Sequence, residues 1–207
     1  MEDGSPGNVM IVCHSKNRDA GWRRELFGPL FTNYMPYLFK SNLSIGMVGA
    51  RGRFYHRGHD VNSGIYNNYC SRFGFHDTSM HFIAGTMFAV RSSIFKNFFV
   101  QFNATALADE LEFGEFGEPS KAHSWERLYG AIVTHSGHVI RPVEHCDDVD
   151  QDIMASFDEA FYLESNPDVK SVVMSNDYSS GLLHYIRYGK NEGRLPFKTR
   201  NKRLLML

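Results

Sequence analysis

The chain has 207 residues, 43% of them hydrophobic and 22% charged, a composition that excludes disorder as the default and suits one moderate domain with a small appendage. A formal net charge of -1 excludes a protein that coats polyanions, so nucleic acid is not an expected partner. The three cysteines, Cys13, Cys70 and Cys146, have no Cys-x-x-Cys spacing, which points to a reducing compartment. Residues 1–8 lack the basic start and apolar stretch of a signal peptide, and no apolar run approaches the ~20 residues of a membrane span. The expected location is the cytoplasm, with no transmembrane segment.

In chain order, residues 1–8 are a lead. Residues 9–13 form a continuous apolar run that fits a buried strand of parallel type, with His14 at its carboxyl end. Trp22, Leu26, Leu30, Tyr34 and Leu38 follow at four-residue spacing, but Pro29 and Pro36 break them into short helices. Residues 45–48 read as a second strand ending at Gly49, and 62–73 as a helix. Phe82 to Val90 reads as one buried strand whose Gly85 lets a backbone or ligand approach closely. It runs into Arg91-Ser92-Ser93, where a serine can cap the helix carrying Ile94, Phe95, Phe98 and Phe99. Residues 110–118 are a mobile loop rich in glycine and glutamate. Pro119 and Ser120 open a further helix, and 138–143 is one more strand.

That alternation predicts an α/β domain over residues 9–143, with a mostly parallel sheet flanked by helices. In such sheets ligands sit outside the carboxyl ends of the strands, which is where His14 and Lys16 fall. Residues 144–156 are acidic and read as a linker. Residues 157–197 read as a small helical module: Phe157 and Tyr162 flank Asp158 as a hydrophobic staple flanks an N-cap, Pro167 restarts a helix, and Gly189 suits a left-handed C-terminal cap. Residues 198–207 are a tail.

The helix after Ser120 places Trp125, Leu128, Tyr129 and Ile132 on a core-facing stripe, and His123, Glu126 and Arg127 on the other side. Two readings stand for this trio. It is either a solvated charged face, or the lining of a cleft where Glu126 or His123 takes a proton from an acceptor hydroxyl and Arg127 grips a carboxylate or phosphate.

His14 and Lys16, two residues apart at a strand end, either suit a diphosphate or serve a structural or surface role, and Arg24 adds local positive charge or only decorates its helix. Sugar transfer from a nucleotide sugar requires the departing diphosphate to be neutralised, by fixed cations or by a divalent metal. His56 with His59, and His135 with His138, have ligand-compatible spacing, but none completes a zinc pattern, so no metal ligands are assigned. No dinucleotide, Walker or nucleophile-elbow motif is present.

Five ordered segments carry a resemblance. The strand with His14-Ser15-Lys16, then Trp22-Arg23-Arg24-Glu25-Leu26, Ile45-Gly46-Met47-Val48-Gly49, Phe82 to Phe88 with Arg91, and His123-Ser124-Trp125-Glu126-Arg127 together resemble the rhamnan synthesis protein F family over residues 9–140. The resemblance implies a GT-A-like, Rossmann-related glycosyltransferase acting in surface polysaccharide assembly. Its substrates would be a nucleotide sugar, with rhamnose one candidate for the sugar, and a glycan acceptor. It selects Glu126 and His123 as catalytic, and His14, Lys16, Trp22, Arg24, Gly85, Thr86, Arg91 and Arg127 as substrate-binding. Members of that family carry another α/β segment upstream of the His-x-Lys strand. A partner chain or segment completing the donor site is therefore a further expectation; peripheral attachment to a membrane is a separate one. A noncatalytic carbohydrate-binding or scaffold protein derived from such an enzyme is the alternative. The helical module resembles short units appended to bacterial polysaccharide and cell-surface proteins.

Overall fold

A computed structural model of the protein describes residues 8–13, 20–77, 79–111, 117–144 and 148–198, with the side chains of Ala20 and Trp22 outside the description. The chain forms two units, Met1–Asp147 and Asp148–Leu207. The first unit begins with β1 (Val9–Val12), α1 (Ala20–Phe27), α2 (Tyr34–Ser41), β2 (Ile45–Ala50), β3 (Phe54–Arg57) and α3 (Ser63–Phe73). It continues with β4 (Met80–Ile83), β5 (Phe88–Arg91), α4 (Ser92–Phe102), α5 (Ala104–Ala108), α6 (Lys121–His135) and β6 (Val139–Val143). No described helix is long and apolar enough to cross a membrane.

The α/β class is as expected, with a mixed sheet in the order β1-β5-β2-β6 and a separate two-stranded sheet of β3 and β4. The expected mostly parallel sheet is corrected. β5 pairs antiparallel with both β1 and β2, and only β2 and β6 are parallel. An apolar run reports burial and carries no information on strand direction. β1 is an edge strand with Met10 and Ile11 exposed, against the expectation of full burial.

The register has one consequence for the site. Val12 and Gly49 both lie opposite Phe88, and Gly49 also faces Pro142. β1, β2 and β6 therefore run in one sense, and their carboxyl ends gather at the edge of the sheet where β5 begins.

The expected single strand over Phe82 to Val90 is split. β4 ends at Ile83, a turn follows, and β5 starts at Phe88. Periodicity could not reveal this break, because Phe82, Ile83, Met87 and Phe88 are all buried on either side of it. The short helices are as read: Pro29 sits in a 3-10 turn after α1, and Pro36 in the first turn of α2, where its missing N–H costs no helical bond. The serine cap on α4 is not formed. Arg91 is the N-cap, without a side-chain bond, and Ser92 and Ser93 lie inside the helix.

α3, α4 and α6 cover the sheets with a core rich in aromatic residues, including Tyr66, Phe73, Phe82, Phe88, Phe98 and Trp125. Trp125, Leu128 and Ile132 face it, as the stripe predicted. α6 also lies so close to β4 that a Cβ at Gly130 would strike the carbonyl oxygen of His81. Burying a Leu- or Phe-sized side chain in such a core contributes about 1.5–3 kcal/mol.

The second unit contains α7 (Gln151–Ser156), α8 (Glu159–Ser165), α9 (Pro167–Met174), α10 (Gly181–His184) and a π-helical turn (Tyr185–Gly189). α7 lies where a linker was expected, capped by the Asp150 carboxylate. The staple forms as read, with Phe157 and Tyr162 rings 5.1 Å apart and Asp158 capping α8. Gly189 is corrected: the left-handed glycine is Gly193, while Gly189 is required because a Cβ there would collide with the Tyr162 hydroxyl.

Candidate functional site at the turn before β5

Between β4 and β5 the chain passes through Gly85 (φ 93°) and Thr86 (φ 51°), two consecutive left-handed residues. Glycine adopts this conformation without penalty, whereas for β-branched threonine it is an outlier of the kind found at ligand sites. The Gly85 N–H donates to Glu126 Oε1 at 2.5 Å, so α6 holds the turn in place.

Ser120 starts α6, its Oγ accepting the His123 N–H at 3.2 Å and lying 2.7 Å from His123 Nδ1. From that cap, the ~3.6-residue turn of the α-helix sets His123, Glu126 and Arg127 on one side of α6, with Glu126 against the turn. The Glu126 side chain is only 16% exposed. Burial raises its carboxyl above the usual range, against the opposing pull of the Gly85 amide, Arg127 and His123. His123 is half-buried.

Arg127 occupies a different place from the one expected. Its side chain is 4% exposed and surrounded by acceptors: Asp60 at 2.9 Å, Glu118 at 3.0 Å, the His123 carbonyl at 2.8 Å and Glu126 Oε2 at 3.4 Å. Its guanidinium also lies 4.8 Å from the centre of the Phe82 ring. A charge this buried is stable only because every side of the fork is paired. Arg127 thus orients Glu126 and ties α6 to the segment before α3, rather than presenting a free fork to a phosphate.

That segment is itself held tightly. Asp60 Oδ1 accepts the Asn62 N–H at 2.8 Å, the Ser63 hydroxyl accepts the Asp60 N–H at 2.8 Å, and Asn62 Oδ1 accepts the Ser120 N–H at 3.0 Å. Asp60, Asn62 and Glu118 were not singled out from the sequence. Asp60-Val61-Asn62-Ser63 carries a helix-start signal, but nothing in it points to Arg127, which is distant along the chain.

Arg91 is at the far end of β5 from the turn and is buried. It donates to the carbonyls of Phe39 at 2.7 Å, Ile45 at 2.8 Å and Asn42 at 3.3 Å, and lies over the Phe39 ring. It therefore closes the carboxyl end of α2 onto β2, a structural role instead of the expected substrate contact. Arg24 is exposed in the last turn of α1, and Trp22 lies on the same helix with its side chain outside the description. His14 and Lys16 lie outside the described residues. The structure thus brings Glu126, His123, Arg127, Gly85 and Thr86 together, at the edge where β1, β2 and β6 end. Among the described residues, no group of three or more His, Cys, Asp or Glu side chains is arranged to hold a metal ion.

No family model matches the chain, and neither the curated proteins nor the solved structures contain a match to it.

Proposed function

We propose that the first unit is a GT-A-like glycosyltransferase domain, transferring a hexosyl or rhamnosyl group from a nucleotide sugar to a glycan acceptor in surface polysaccharide assembly. The observation that carries this reading is the buried Glu126 carboxylate, with raised pKa, bonded to a strained turn at the carboxyl edge of three strands. A general base works best when its pKa lies near the operating pH, and burial moves Glu126 in that direction.

In this reading Glu126 takes the proton from the acceptor hydroxyl as its oxygen attacks the anomeric carbon, and the nucleoside diphosphate departs. The Gly85 N–H and Arg127 fix the two carboxylate oxygens, so Arg127 is a positioning residue. His123, joined to the Ser120 hydroxyl, is the alternative base. Gly85 and Thr86 border the sugar, and the diphosphate charge falls to His14 and Lys16 or to a divalent metal ion brought with the donor. A partner chain completing the donor pocket, and work at the cytoplasmic face of a membrane, belong to the same proposal.

A second reading is a noncatalytic glycan-binding or scaffold protein. It is favoured by the internal pairing of the polar set, since Glu126, Arg127 and Arg91 all have protein partners. The two readings separate on donor binding. Calorimetric titration and thermal shift of the full chain with nucleoside diphosphates and nucleotide sugars, dTDP-rhamnose included, with and without Mg²⁺ or Mn²⁺, should show saturable binding. A donor at 100 times its Kd stabilises the fold by about 2.7 kcal/mol. Glycan binding with no response to any nucleotide would overturn the transferase reading in favour of the scaffold.

A further inference from the structure

The sequence offered His56 and His59 as a ligand-like pair. The fold instead sets His56 against a histidine on the neighbouring strand. His56 on β3 and His81 on β4 are direct cross-strand partners, so their side chains leave the same face of the small sheet. Their ring centroids are 4.2 Å apart, with the planes inclined at 41°. His56 is exposed and His81 half-buried, so one edge of the pair is open to solvent.

Both rings are held on rigid elements. The His81 carbonyl is in close contact with α6 at Gly130. The Phe54 ring stacks beside the His81 ring at 6.5 Å. The Asp77 carboxylate, fixed by the Ser79 N–H at 2.8 Å, lies within electrostatic reach of both imidazoles and favours a cation there.

We propose that His56 and His81 form a two-imidazole binding site for one divalent transition-metal ion of the Zn²⁺, Ni²⁺ or Cu²⁺ class. Two neutral imidazoles on adjacent strands can coordinate one ion together through ring nitrogens, with water completing the shell. Imidazole nitrogen suits these borderline ions, whereas Mg²⁺ takes oxygen ligands and retains its own waters. The site is separate from the Glu126 cluster and independent of any metal that accompanies a sugar donor.

The test is a calorimetric titration of the full chain with Ni²⁺ and, separately, Zn²⁺, in a buffer that does not chelate. One equivalent should bind, and His56→Ala and His81→Asn should each weaken binding at least tenfold, while His59→Ala leaves it unchanged. Mg²⁺ should give no binding heat. As a second readout that needs no variant, substoichiometric Ni²⁺ should broaden the NMR ring signals of two of the ten histidines, those of His56 and His81. Absence of binding, binding that survives His56→Ala, or broadening that falls on other histidines would overturn the site.

Discussion

The Glu126 carboxylate and the Gly85 amide lie 2.5 Å apart, joining α6 to a turn that is distant from it along the chain. The bond accounts for two otherwise separate observations: a charged residue drawn inward on a helix, and a threonine held in left-handed backbone. Each has a measurable counterpart.

Replacing Glu126 by glutamine keeps an acceptor oxygen for the Gly85 N–H and removes the proton acceptor. Turnover should fall about 10²–10⁴-fold with the fold intact, read by sugar-transfer rate alongside circular dichroism. Unchanged transfer would reject Glu126 as the base.

The raised pKa of Glu126 has its own signature in stability. The folded state binds this proton more tightly than the unfolded chain. The resulting stabilisation is complete below about pH 4.3, the ordinary glutamate value, and is lost as pH rises through the folded value. The melting temperature of Glu126→Gln, minus that of the native protein, should therefore grow between pH 4 and pH 7. A flat difference would contradict the assignment.

Arg127→Met removes the cation that Asp60, Glu118 and Glu126 share, leaving the buried Asp60 carboxylate without its ion-pair partner. A loss of about 3–5 kcal/mol is expected on breaking a buried pair in this way. Arg127→Lys should recover only part of it, because an ammonium cannot reproduce the planar fork. Urea unfolding of the two variants measures both quantities.

At Thr86, left-handed backbone costs a side-chain-bearing residue roughly 1–2 kcal/mol, while glycine loses about 0.5–1 kcal/mol through its freer unfolded chain. Strain is the larger effect, so Thr86→Gly should stabilise the first unit by up to about 1.5 kcal/mol in chemical denaturation. A destabilised variant would show that the Thr86 side chain makes a contact that outweighs the strain.

In the second unit Arg194 holds Asp168 at 2.8 Å, and its hydrogen bonds bring the Asp168 carboxyl down to about 2. Because the folded value lies below the unfolded one, the stabilisation is present above about pH 3.9 and lost as pH falls through the folded value. Asp168→Asn should abolish this acid dependence, followed by hydrogen exchange at the Tyr162 amide. A native-like acid profile in the variant would assign the dependence to another group.

Local signals proved the most readable. The Ser120 cap, the core stripe of α6, the staple around Asp158 and the short helices around Pro29 and Pro36 each depend on residues within a turn or two of one another, so the sequence displays them directly. Strand direction, the break between β4 and β5, and the β3-β4 sheet depend on partners far along the chain, and hydrophobic periodicity does not encode those partners. The trio on α6 shows the limit most clearly. Its spacing placed His123, Glu126 and Arg127 together correctly, but whether they met water or protein depended on Asp60, Glu118 and Gly85. The resemblance selects Arg91 and the helix face offers Arg127 as ligand contacts, yet the same guanidinium chemistry serves backbone carbonyls and buried carboxylates equally well.

The position of β2 bears on how the chain leaves the ribosome. All six of its residues are buried in the finished protein, and its two neighbours, β5 and β6, are synthesised later, with β6 closing the sheet at Val143. Until then the nascent chain carries an apolar strand with unpaired edges, the kind of segment that recruits chaperones or pairs with other chains. Truncations ending between β5 and β6 should consequently accumulate as aggregates, whereas a stop after the first unit should yield dispersed protein.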